Sequence, residues 1–163
     1  MIITDTGFWV GLFDHNDDNH IPCKQFLTQC QEPLIATAPV ITETVHLLNQ
    51  RRYQQIAINF LALLVQLQNQ QLFSIYNIGD QQLPRQLELM RQYQDLPMDF
   101  ADASLVVLAE HLGHGRIVST DRRDFQPTAG KTVNPSKTYC NTSNITAINN
   151  GCDTNIYKQY NPS

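Results

Sequence analysis

What this sequence lacks narrows it first. No apolar run approaches the roughly 20 residues that a membrane-spanning helix needs. The amino terminus has no basic segment leading into a long apolar stretch and a cleavage site, so a soluble, cytoplasmic protein with no membrane partner is expected. Basic residues are scarce: 11 Lys and Arg stand against 15 Asp and Glu, a net charge of -4. That balance excludes a protein holding nucleic acid mainly through a broad cationic surface. The four cysteines, Cys23, Cys30, Cys140 and Cys152, form no C-x-x-C pair and read as ordinary thiols rather than a disulfide framework. Asn141 and Asn144 match the glycosylation pattern, which carries no meaning without secretion.

What is present fits one domain: 163 residues can bury a proper core but rarely form two domains. The acids are unevenly placed, since 14 of the 15 but only 8 of the 11 Lys and Arg fall before residue 126, giving that part a charge of -6. An excess of carboxylates in a compact domain either stays in solvent or gathers around a cation.

The hydrophobic periodicity alternates strand and helix. Met1 to Thr4 reads as a buried strand ending at Asp5, with a brief helix from Phe8 to Phe13 and another from Ile21 to Cys30. Leu34 to Ala38 is a second strand, followed by an amphipathic helix with Pro39 in its first turn, reaching about Arg52. Further helices are expected over Ile56 to Leu67, Gln82 to Gln94 and Phe100 to Leu112, the last capped by Asp99 and stopped at Gly113. Leu72 to Ile78 and Arg116 to Thr120 complete the strands, making an α/β domain with a central, mostly parallel sheet flanked by helices.

Ligands of such sheets gather beyond the carboxyl ends of the strands. Asp5 and Asp121 sit at expected strand ends, Glu43 in the first turn of the helix after the second strand, and Asp99 and Asp102 at the helix before the fourth. Four segments thus deliver acids to one edge. Hard cations such as Mg²⁺ or Mn²⁺ take oxygen ligands, and a cation so held can activate water against a phosphodiester.

The strings Ile-Thr-Asp-Thr-Gly-Phe-Trp-Val-Gly-Leu-Phe-Asp (3 to 14), Thr-Glu-Thr-Val-His-Leu-Leu (42 to 48), Leu-Pro-Met-Asp-Phe-Ala-Asp-Ala-Ser-Leu (96 to 105) and Ser-Thr-Asp-Arg-Arg-Asp-Phe (119 to 125) resemble, in order and spacing, the motifs of PIN domains of the VapC toxin type. Each is weak alone, but four in register are specific. The resemblance covers residues 1 to 125 and implies a PIN-like fold whose catalytic quartet is Asp5, Glu43, Asp102 and Asp121. It implies Asp5, Asp102 and Asp121 as metal ligands with Asp99 as a helper, and Ser119 as an auxiliary hydroxyl. The implied activity is hydrolysis of RNA by metal-activated water, leaving a 5′-phosphate and a 3′-hydroxyl, in a homodimer restrained by a cognate antitoxin. Arg51, Arg52, Arg122 and Arg123 are candidate RNA-phosphate contacts, because Arg forks match phosphate oxygens.

Plainer roles stand beside these. Asp5 can simply cap the helix near Gly7, Glu43 can answer a helix N-terminal dipole, and Asp99 with Asp102 can form a reciprocal cap. Asp14, Asp17 and Asp18 read as a solvated turn, Asp124 as a surface acid and the four arginines as ordinary surface charge. His111 and His114 lack a third zinc ligand, His46 reads as packing, and the Met and aromatic residues at helical spacing read as core. Gly130-Lys131-Thr132 resembles the end of a phosphate-binding loop, but Phe125 stands where that loop needs glycine. A catalytically silent interaction module of the same fold is the alternative function. A metal-dependent phosphatase is a further one, disfavoured by the absence of an Asp-x-Asp pair after the first strand.

From Gln126 the texture changes to Asn, Thr, Ser, Pro and Lys without period, so residues 126–163 are expected to be disordered or loosely attached. PIN toxins usually end with a further strand and a basic-aromatic segment that this tail lacks. Read one base earlier from Pro127 through Asn141, permitted codons spell Tyr-Arg-Trp-Gln-Asn-Arg-Lys-Pro-Phe-Lys-Asn-Leu-Leu and a stop, so a frameshift is a second account of the tail, decided by sequencing the gene.

Overall fold

A computed structural model describes residues 1–50, 54–95 and 98–120 of the chain. Strand β1 (Ile2–Thr4) leads into helices α1 (Thr6–Phe13) and α2 (His20–Gln29), and β2 (Leu34–Thr37) into α3 (Ala38–Gln50) and α4 (Gln54–Asn69). Strand β3 (Phe73–Tyr76) is followed by a 3₁₀ turn at Asp80–Gln82, helices α5 (Leu83–Gln92) and α6 (Phe100–Leu112), and strand β4 (Ile117–Val118).

The strands lie in the order β3-β2-β1-β4 and every pairing is parallel. β1, β2 and β4 are wholly buried, as the unbroken apolar runs require for strands covered on both faces. The coverage can be read from ring contacts. Phe73 packs on Trp9 of α1, and Trp9 on Phe60 of α4, whereas Tyr76 meets His111 of α6. Phe73 and Tyr76 are an odd number of residues apart on one strand and so face opposite sides. Helices α1 and α4 therefore cover one side and α6 the other.

The core on the first side is aromatic. Phe8, Trp9, Phe13, Phe26, Phe60 and Phe73 interlock edge-on or tilted, with centroids 4.9 to 5.9 Å apart. The buried Trp9 indole N–H donates to Thr4 Oγ1 at 3.0 Å, and Thr4 in turn donates to the Ile35 carbonyl at 3.2 Å, so the central strand satisfies the one polar group of its largest neighbour. Met90 and Phe100 depart from the expected core role; both lie exposed on helix surfaces.

Most elements fall within a residue or two of expectation. The first helix starts two residues earlier than expected, at Thr6, because Asp5 caps it directly. Ala38, expected to end a strand, opens α3. α6 has a left-handed Gly113 at its end, φ 70°, as its sequence signal requires. Arg52, the expected end of the third helix, lies outside the described residues.

Candidate active site

In a parallel sheet whose chain runs outward from β1 through β2 to β3 and then returns to the far side of β1, the crevice opens at the carboxyl ends of β1 and β4, where the strand order reverses. Asp5 stands at the first of these ends. It is 8% exposed, and its Oδ1 accepts from the Phe8 N–H at 2.6 Å, the cap of α1. The capping role weighed against catalysis is thus real, and it fixes the carboxylate at the strand end. The next turn is tight: a Cβ at Gly7 would run into the Thr120 hydroxyl, so glycine is what lets α1 approach the segment after β4.

Thr6, which the sequence reading did not single out, donates its hydroxyl to Glu43 Oε2 at 2.5 Å, joining the start of α1 to α3. Nothing local to Asp-Thr-Gly betrays a partner so distant in the chain. Glu43 lies in the second turn of α3, not the first, so the helix-dipole reading of it fails: that field acts within one turn of the end. Burial holds its carboxyl above the ordinary carboxylate range. The Thr6 hydrogen bond opposes this, while the charge of Asp99, a hydrogen bond to Asp99 and the charge of Asp102 reinforce it.

Asp99 and Asp102 form the reciprocal cap of α6. Asp102 N–H donates to Asp99 Oδ1 at 2.9 Å and Asp99 N–H to Asp102 Oδ2 at 3.3 Å. Glu43, Asp99 and Asp102 therefore lie within electrostatic reach of one another, with Asp5 adjoining through Thr6. Reach is not coordination: among the described residues no three His, Cys, Asp or Glu side chains gather as a metal cage. Ser119 follows β4 and is half-buried. Asp121, Arg51, Arg52, Arg122 and Arg123 lie outside the described residues, as do Asp124, Cys140, Cys152 and the whole 126–163 tail.

Other side chains correct or fill the plainer readings. Asp14 is buried, its Oδ1 accepting from Asn16 N–H at 3.0 Å, so it is not part of a solvated turn. Asp17 does serve the turn, accepting from Asn19. His46 is exposed and meets Gln50 rather than packing. His114 accepts from the Arg116 N–H. Burial, with the charges of Asp5 and Asp17, pushes the Cys23 thiol up to about 12, which keeps it protonated and inert.

A profile of the PIN domain family matches residues 2–131. The crystal structure of the Mycobacterium tuberculosis VapC20 toxin, a sarcin-ricin loop cleaving toxin, has the same fold: TM-score 0.66 at 19% identity, covering 74% of this chain and 90% of that one. No curated protein sequence matches the chain. With four parallel strands, an acidic strand edge and a family match spanning most of its length, the chain belongs to the PIN domain family.

Proposed function

We propose that this chain is a metal-dependent endoribonuclease, the toxin of a toxin-antitoxin pair, acting on RNA phosphodiester bonds. One observation carries the reading: Glu43, raised in pKa by burial and flanked by Asp99 and Asp102, stands joined through Thr6 to the β1 end where Asp5 sits. The fold shared with a sarcin-ricin loop cleaving toxin supports it. So does the family match.

The donors are all hard oxygens, and Mg²⁺ characteristically takes one or two carboxylates and completes its shell with waters and phosphate, so a full cage of protein ligands is not required. Asp5, Asp102 and Asp121, helped by Asp99, would hold Mg²⁺ or Mn²⁺. Such an ion supplies charge neutralisation at the phosphate and lowers the pKa of water. Glu43 takes the proton of the attacking water, its raised pKa bringing it nearer the working pH. As the water oxygen bonds to phosphorus, the bond to the 3′ oxygen breaks. That oxygen gains a proton, leaving a 3′-hydroxyl and a 5′-phosphate. Thr6 holds Glu43 in place, Ser119 offers a hydroxyl at the β4 end, and Arg51, Arg52, Arg122 and Arg123 supply the cationic rim. The chain works as a homodimer in the cytoplasm, silenced by a cognate antitoxin; no helix among the described residues is long and apolar enough to cross a membrane.

Asp5→Asn tests the assignment more cleanly than alanine, because asparagine preserves the cap. Metal-dependent cleavage of a mixed RNA pool should fall at least about a hundredfold, with thermal stability nearly unchanged. Unaltered cleavage refutes the role of Asp5.

A further inference from the structure

We infer that a buried hydroxyl relay, Thr37 to Ser104 to the Ala101 carbonyl, is the device that holds the acidic first turn of α6 against Glu43. Thr37 closes β2 and immediately precedes α3; its Oγ1 lies 2.6 Å from Ser104 Oγ. Ser104 Oγ lies 2.6 Å from the Ala101 carbonyl oxygen, and both hydroxyl side chains are completely buried. The direction follows from proton counting. A carbonyl only accepts, so the single Ser104 proton is committed to Ala101, and Thr37 must donate to Ser104. The relay thus ends on a backbone atom inside the capping turn, between Asp99 and Asp102.

That turn has a reason to move away. The charges of Asp99 and Asp102 both disfavour the ionised form of Glu43, so once Glu43 has lost the proton it can share with Asp99, like charge faces like charge between α6 and α3 at this edge. Helix α6 also packs on α3 and β2, its Leu105 and Leu108 sharing one apolar core with Val40, Leu48 and Ile35, and such packing resists separation but allows sliding. Two directional bonds in a dry interior fix the distance and register that apolar packing leaves soft. Thr37 and Ser104 are positioning residues, distinct from the acids they set in place. Only the consequence for metal binding rests on the nuclease reading.

Thermal unfolding in EDTA, without RNA, tests the relay itself. Asp99→Asn keeps the α6 cap but removes the charge facing Glu43, so it should raise Tm in the parent chain. In a Thr37→Val background, which keeps the shape and loses the donor, that rise should shrink by at least about half. Thr37→Ser, which keeps the donor, should restore it. Ser104→Ala breaks the same relay from the other side and serves if Thr37→Val does not fold. Equal rises in all backgrounds, or no rise in the parent, overturn the proposal. A second arm measures Mn²⁺ binding by calorimetry. Thr37→Val should bind on the order of tenfold more weakly, with Thr37→Ser near the parent. Equal affinity in Thr37→Val and a binding parent also overturns it, whereas a parent that binds no Mn²⁺ sinks the nuclease reading and leaves the relay judged by the unfolding cycle.

Discussion

Glu43 stands under opposed influences, and their balance is measurable. Burial and the neighbouring Asp99 and Asp102 disfavour its charge, while Thr6 favours it. Because its folded pKa is raised, its contribution to stability is fullest below the ordinary value of 4.5 and is lost as pH rises through the folded value. Glu43→Gln, which still accepts from Thr6, should therefore unfold at a higher temperature than the parent at pH 7 in EDTA. The gap should close as pH falls below about 4.5. A gap independent of pH would mean that the charge of Glu43 is not strained in the fold. The same residue shows what sequence conveys and what it withholds. Its candidacy as a site acid came from the string Thr-Glu-Thr-Val-His-Leu-Leu, but its turn was misplaced by count rather than by chemistry: even a helix opening at Pro39 has Glu43 as its fifth residue, beyond the first turn. Thr6, its partner, was invisible, since a hydroxyl carries no mark of which distant carboxylate it will meet.

Among elements, those with strong terminal chemistry were the most legible. Helix α6 has Asp99 and Asp102 at its head and Gly113 at its foot, and it lies where that pattern puts it. Gly113 has φ 70°, and a Cβ there would touch nothing within 4 Å. Any cost of adding a side chain is therefore conformational rather than steric crowding. Gly113→Ala should destabilise the fold by about 1 kcal/mol in urea titration, and Gly113→Asn by less, since asparagine tolerates the left-handed region. An alanine variant as stable as the parent would show that α6 can end another way. Helix α3 contrasts with it: no acid lies in its first turn, and Thr37 just before it bonds Ser104 of α6, a partner that no window of sequence contains.

Across the whole molecule, charges of opposite sign close the edge away from the acids. Arg116 before β4 makes paired bonds to Glu32 before β2, spanning the central β1, and the Met1 amino group joins them. The Arg116 guanidinium and then that amino group hold the Glu32 carboxyl down at about 2. With the folded pKa depressed, the stabilisation is present above the ordinary 4.5 and disappears as pH falls through about 2. The pair is partly exposed and therefore screened by solvent. Arg116→Gln should cost under about 1 kcal/mol at pH 7, less in 1 M salt, and progressively less as pH falls toward and below about 2, as followed by chemical unfolding. A cost that persisted at low pH would assign Arg116 a packing role instead.

The space a side chain at Gly7 would need is filled by the hydroxyl of Thr120, more than a hundred positions along the chain. Threonine is stiff about its first side-chain bond and cannot simply swing aside, so Gly7→Ala should destabilise by about 1 to 3 kcal/mol. In a library randomised at both positions and sorted for folded protein, alanine at 7 should survive chiefly with alanine or glycine at 120. The tolerance of position 7 would then depend on the codon at 120, and a survey that varied position 7 alone would score it as intolerant while one at 120 alone would miss the coupling.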